Sequence, residues 1–155
     1  MAATVGQKAP DFKLMNEKRE EVTLSSQKGH PVVLAFFPAA FTGVCTKELC
    51  TFRDSMAKLN SANAQVYGIS VDTSFSLAEF KKQQNLNFPL LSDFNKEVIQ
   101  SYGVFNPDMI GLKGIAKRST FVIDKDGVVR YAEILEDARN EPNYDKVFEA
   151  LKSLS

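Results

Sequence analysis

The chain has 155 residues, 44% hydrophobic and 25% charged, the make-up of one folded globular domain over residues 1–155 and not of a disordered segment. Nineteen basic and nineteen acidic side chains give a formal net charge of zero, which argues against a basic nucleic-acid surface and against a polybasic membrane anchor. Two cysteines and one histidine fall short of the four paired ligands of a structural zinc site and of the cysteine density of a disulfide-stapled scaffold.

The N-terminal residues lack the apolar stretch of a secretory signal, and no apolar run nears the ~20 residues that span a bilayer, so a cytoplasmic location is expected. His30 lies in the turn-like run Lys28-Gly29-His30-Pro31 and reads as an exposed loop residue rather than the base of a Cys-His hydrolase. Residues 32–37, Val-Val-Leu-Ala-Phe-Phe, form a continuous apolar, β-rich run that stops at Pro38. Such a run predicts a central strand covered on both faces. A helix is predicted over residues 45–60 and a second buried strand over 66–71. The resulting strand–helix–strand unit should be parallel and right-handed. Another helix is expected at 76–84. Strands at 119–123 and 128–134 flank Asp126-Gly127, a hairpin signal. Residues 144–154 close the chain as an amphipathic helix with Val147, Leu151 and Leu154 on one face. Together these elements predict an α/β domain, a mixed central sheet with helices on both faces.

The loop after the first buried strand carries the chemistry. Cys45 falls in the first turn of the following helix, where unpaired backbone N–H groups and the helix dipole favour a thiolate. Such positions can bring a cysteine pKa from about 8.5 into the range of about 3.5–7.5. Thr42, three residues earlier, can bring its hydroxyl near the sulfur and near a substrate oxygen. Leu49, Phe52, Met56 and Leu59 share the Cys45 face of the helix, whereas Cys50 lies ~140° away on the polar face. In an intact helix the two Cα atoms would be ~8.6 Å apart, beyond the ~7 Å reach of a disulfide, so a Cys45–Cys50 bond requires the first turns to unwind. The alternative from placement alone is a pair of inert cysteines, one a small core hydrophobe and one accidental.

The run Pro38-x-x-x-Thr42-x-x-Cys45 resembles the active-site motif of the peroxiredoxins, the AhpC/TSA-type thiol peroxidases. The likeness extends over nearly the whole chain, through Gly6-Gln7-Lys8-Ala9-Pro10-Asp11-Phe12, Phe88-Pro89-Leu90-Leu91-Ser92-Asp93, Tyr102-Gly103-Val104 and Arg118-Ser119-Thr120-Phe121-Val122-Ile123-Asp124. Residues 36–45 are most similar to the AhpE-like branch, while Cys50 stands where the PrxQ (bacterioferritin-comigratory) branch keeps its resolving cysteine.

The resemblance implies a thioredoxin-like fold, with Cys45 as the peroxidatic nucleophile that becomes a sulfenic acid. Arg118 would be the cation beside thiolate and peroxide, Thr42 a hydrogen-bonding partner of both, and Pro38 the wall that limits water and over-oxidation. Glu48 would accept from the arginine and hold its fork. Cys50 would resolve the sulfenate, and thioredoxin or a similar thiol would supply the electrons. No metal, haem or flavin is implied, and the AhpE-like loop favours a homodimer.

Several alternatives stay open. Glu48 can be a solvated first-turn carboxylate, and Lys117 or Arg53 can compete with Arg118 for the cationic role. The chain could also be a peroxide-sensing redox relay or a thioredoxin-like disulfide oxidoreductase. The latter is disfavoured by a second cysteine five residues on, where that chemistry uses Cys-x-x-Cys.

Overall fold

Five consecutive apolar residues can be buried only where a strand is covered on both faces, and β3 (Val32–Phe36) is fully buried. The computed structural model describes residues 3–154. Before β3 come β1 (Lys13–Asn16), β2 (Glu21–Thr23) and a short 3-10 helix (Leu24–Gln27). After it come α1 (Gly43–Asp54), α2 (Met56–Ser61), β4 (Gln65–Ser70) and α3 (Ser74–Gln84). The second half contains β5 (Leu90–Ser92), α4 (Glu97–Ser101), the pair β6 (Phe105–Asn106) and β7 (Ile115–Ala116), β8 (Ser119–Ile123), β9 (Val129–Ile134) and α5 (Tyr144–Lys152).

Seven of the strands form one sheet in the order β2-β1-β5-β4-β3-β8-β9. β3 pairs with β4 in parallel, as the crossover through α1 requires, and β4 pairs in parallel with β5. β3 pairs antiparallel with β8, with Phe36 opposite Ser119. β8 and β9 form the antiparallel hairpin expected around Asp126-Gly127, with a register shift at Val122/Ile123. The sheet is therefore mixed, as the sequence implied.

Alternation along the strands divides the core in two. Val33, Ala35, Val66 and Val122 face a cluster containing Leu49, Phe52, Leu59, Phe80, Val147 and Leu151, contributed by α1, α2, α3 and α5. Leu34, Phe36, Tyr67 and Phe121 face the other side, where Val98, Ile99 and Tyr102 from α4 and its end pack with Phe12 and Leu24. Helices cover both faces, but unequally.

Two expectations need correction. The predicted helix over 45–60 is two helices. α1 begins two residues earlier, and the run breaks at Ser55 (φ −99°, ψ 5°), whose N–H is shared by the carbonyls of Thr51 and Phe52 at 3.1 Å each. Asp54-Ser55 is a pair of poor helix formers, whose side chains compete locally with the backbone. The break lets Leu59 of α2 enter the core independently of α1. His30 is half-buried rather than exposed, and its Nε2 lies 3.4 Å from Gln27 Oε1. The short elements β1, β2, β5, α4, β6 and β7 were not anticipated, because two to five residues are too few to establish a hydrophobic period.

Tyr102 anchors the N-terminal segment. Its ring packs 5.4 Å from Phe36 and 5.3 Å from Phe121, and its hydroxyl donates to the Pro10 carbonyl at 2.7 Å. Tyr102→Phe keeps the packing and removes the donor, so it should lower stability by about 1–2 kcal/mol in urea denaturation. An unchanged midpoint would mean that water satisfies the Pro10 carbonyl.

Candidate active site

β3 ends at Phe36, and Phe37 and Pro38 remain buried as the chain turns toward α1. The Ala40 N–H donates to Asp72 Oδ2 at 2.8 Å, and Ser70 Oγ donates to the same oxygen at 2.6 Å. This carboxylate at the end of β4 pins the loop. The next residue, Phe41, has φ +70°, a left-handed conformation that side chains rarely adopt. Its ring rests edge-on against Phe80 at 5.2 Å. Thr42 then caps α1 in an extended conformation, with its carbonyl accepting the first helical bond from Thr46 N.

Cys45 is the third residue of α1 and 1% exposed, in the first turn as the sequence predicted. The backbone N–H groups there have no helical acceptors, and the dipole adds partial positive charge. The Thr42 hydroxyl, expected near the sulfur, donates instead to the Ala39 carbonyl at 2.8 Å. A hydroxyl has one proton, and here the loop's own carbonyl takes it.

Arg118 precedes β8, and the register that sets Phe36 opposite Ser119 brings it to the end of β3. Its Nη1 donates to Cys45 Sγ at 3.3 Å and to Glu48 Oε1 at 2.7 Å. Its Nε and Nη2 both donate to the Ala138 carbonyl, at 3.3 and 2.9 Å. Only 2% of this guanidinium-bearing side chain is exposed. Lys117 turns the other way and pairs with Glu136 at 3.0 Å, while Arg53 pairs with Asp54 at 2.9 Å. Of the three cations, Arg118 alone touches the sulfur among the described residues.

Glu48, one turn after Cys45, is fully buried, and its Oε2 has no hydrogen-bond partner among the described residues. It is no solvated carboxylate. Burial pushes its carboxyl up to about 7; the Arg118 cation and hydrogen bond oppose that rise, and Glu141 and Glu133 add to it. Glu141 is itself held by Lys47 at 3.0 Å and by the Tyr144 hydroxyl at 2.7 Å.

A pocket of about 630 Å³ opens over this cluster, lined among others by Pro38, Thr42, Cys45, Met109 and Arg118. Pro38, Thr42, Cys45, Glu48 and Arg118 are thus gathered in one place. Cys50 is not. It is half-buried on another face of α1, its Sγ donating to Gln84 Oε1 at 3.5 Å, and both cysteines are free thiols. Asp72 and Ala138 escaped the sequence reading. A carboxylate at the carboxyl end of a parallel strand is where α/β sites gather, and that signal could have found Asp72. Ala138 acts through a backbone carbonyl, which no side-chain pattern announces. No group of three or more potential metal ligands occurs among the described residues, nor is any helix there long and apolar enough to cross a membrane.

The raised Glu48 carboxyl has a consequence for stability. Unfolded, it ionises near its ordinary value of about 4.3; folded, near about 7. Its contribution is therefore fully present below about 4.3 and is lost as pH rises through about 7. Glu48→Gln should flatten this dependence, so that the difference in stability between wild type and variant shifts by on the order of 3 kcal/mol from pH 4 to pH 8. Urea denaturation of both proteins across that range measures it.

The AhpC/TSA family model matches residues 5–132. Peroxiredoxin Q, chloroplastic, of Oryza sativa subsp. japonica is 46% identical over 126 residues, covering 81% of this chain and 57% of the rice protein. The chain thus spans less than two thirds of that relative's length. Alkyl hydroperoxide reductase E of Mycobacterium tuberculosis is 41% identical over 133 residues, 84% of each chain. The crystal structure of peroxidoxin BcpB from Mycobacterium tuberculosis superposes with a TM-score of 0.89 at 34% identity, covering 99% of both chains. Relatives of the PrxQ and AhpE kinds thus both occur, in keeping with the mixed loop and cysteine pattern. The fold is the thioredoxin-like fold of peroxiredoxins, and the chain belongs to the AhpC/TSA family.

Proposed function

We propose that the protein is a thiol-dependent peroxidase that reduces hydrogen peroxide or organic hydroperoxides through Cys45. The observation that carries this reading is the contact of a buried guanidinium with Cys45 Sγ at 3.3 Å, at the start of a helix and at the floor of a pocket. The Cys45 thiolate attacks the near oxygen of the peroxide. An S–O bond forms, the O–O bond breaks, and the far oxygen leaves as water or alcohol once protonated. Sulfur is oxidised to sulfenic acid and the peroxide is reduced. Arg118 supplies a permanent positive charge both to the thiolate and to the charge moving onto the leaving oxygen.

Thr42 lines the pocket, and rotation of its hydroxyl away from the Ala39 carbonyl would present it to a bound peroxide. Pro38 walls the pocket and excludes water. Glu48 positions the guanidinium by accepting from Nη1. Cys45 and Glu48 meet Arg118 across 73 and 70 residues of sequence, which supports one catalytic unit over residues 1–155. Cys50 resolves the sulfenate after the first turns of α1 unwind, giving a Cys45–Cys50 disulfide that thioredoxin or a similar thiol reduces. The cycle calls for no metal, haem or flavin. The AhpE-like loop favours a homodimer. A reducing compartment such as the cytoplasm suits a site with two free thiols.

Cys45→Ser should abolish peroxide consumption, and retained thiol-dependent turnover would refute the assignment. Arg118→Met should slow peroxide reduction by on the order of 10²-fold or more, as loss of a transition-state donor does, and slow iodoacetamide alkylation of Cys45 much less. Equal losses would mean that Arg118 only favours the thiolate. The mass of peroxide-treated protein reads the resolving step: two hydrogens lost for an internal disulfide, one oxygen gained for a stable sulfenic acid.

A further inference from the structure

Cys50 is held by α3. Its Sγ donates to the side-chain amide oxygen of Gln84 at 3.5 Å, and the backbone carbonyl of the same residue accepts from Arg53 Nη1 at 2.6 Å. Asn87 Nδ2 adds a bond to the Arg53 carbonyl at 3.4 Å. Residues 50 and 53 are one helical turn apart on α1, so Gln84 grips two points of that turn at once. The gripping end is firmly set. Gln84 is the last residue of α3, Asn85 caps the helix in a left-handed conformation (φ 52°, ψ 42°), and the next residue, Leu86, is buried and returns its N–H to the Lys81 carbonyl at 3.0 Å.

The two ends of α1 are therefore held differently. The first turns carry Cys45 and Glu48 against Arg118, and oxidation of the sulfur disturbs that contact. The last turn is tied to α3 and is followed by the break at Ser55. Unwinding toward Cys50 meets the Gln84 amide before it meets the Arg53 bond, and Sγ must leave Oε1 before it can travel to Cys45.

We propose that Gln84 is a positioning residue of the resolving half-reaction. Its side-chain amide keeps Cys50 on α3, and the release of Sγ sets the rate of disulfide formation. The inference rests on the reading of Cys50 as the resolving cysteine. In that step the Cys50 thiol gives up its proton and attacks the sulfenic sulfur of Cys45. The S–S bond forms, the S–OH bond breaks, and hydroxide leaves with that proton as water. The oxidation held by one sulfur is then shared by two, and no outside oxidant enters. A second peroxide competes for the same sulfenic acid, oxidising it to sulfinic acid while itself reduced to water or alcohol. Slow release exposes the sulfenic acid longer.

The division of labour within Gln84 makes the test clean. Gln84→Ala removes the amide that holds Cys50 and keeps the backbone carbonyl that holds Arg53. After a single hydrogen peroxide pulse, quench-flow mass spectrometry follows loss of the sulfenic acid and growth of the disulfide. Disulfide formation should be about two- to tenfold faster in Gln84→Ala, the range set by losing one neutral hydrogen bond. The sulfinic fraction under excess hydrogen peroxide should fall in parallel. Gln84→Glu offers a stronger acceptor to the thiol and should slow the same step. A merely structural role would instead move both variants in one direction, together with the urea midpoint and the first oxidation, which serves as the internal control.

Wild-type rates of disulfide formation in both variants would overturn the proposal while leaving Cys50 as the resolving residue. Wild-type protein that gains an oxygen and never loses two hydrogens would overturn the resolving reading itself, and the Gln84 proposal with it.

Discussion

A single buried guanidinium organises the site. Arg118 donates through one nitrogen to both the Cys45 sulfur and the Glu48 carboxyl, and its other nitrogens close on the Ala138 carbonyl. Removing such a cation from water is costly unless its donors are engaged, and here acceptors on two segments engage them. α1, the approach to β8 and the loop before α5 are held together by one planar group. The same economy explains the strained entry to α1, where Phe41 sits left-handed because Asp72 fixes Ala40 and Phe80 receives the ring.

The charge balance around Arg118 is unequal, and the inequality is informative. Two acids share one cation: Glu48 directly, and the Cys45 sulfur whenever it is ionised. Glu48 Oε2 is buried without a donor, and two more glutamates, 133 and 141, add negative potential. A carboxyl that ionises near neutrality in this setting leaves the guanidinium partly uncompensated, and an uncompensated cation is what a thiolate and a peroxide oxygen can use. Full neutralisation by a well-solvated carboxylate would weaken it.

α1 serves the site along its whole length. Its first turn gives the sulfur its amides and dipole, its middle buries Leu49 and Phe52, and its end is fastened to α3 by Arg53. The break at Ser55 separates these turns from α2, which holds Leu59 in the core. One uninterrupted helix over 45–60 would transmit any unwinding into the core. Two helices would confine it.

What the sequence determined by itself is local and periodic. The buried run at 32–37, the parallel crossover, the hairpin at 126–127 and the placement of Cys45 in a first helical turn all follow from patterns within a few residues, and the motif around Cys45 carried the family. Tertiary structure decided whatever depends on groups distant in sequence. The resemblance singles out Arg118 and leaves Lys117 and Arg53 as competitors; the register of β8 against β3 brings Arg118 to the sulfur. Glu48 is a first-turn acid until burial raises its carboxyl, against the opposing pull of an arginine seventy residues away. The Ala138 carbonyl on Arg118 and the Gln84 grip on Cys50 are likewise fixed by distances between segments. Sequence periodicity reports which face a side chain occupies, whereas a hydrogen bond across two elements exists only once their packing has set the geometry.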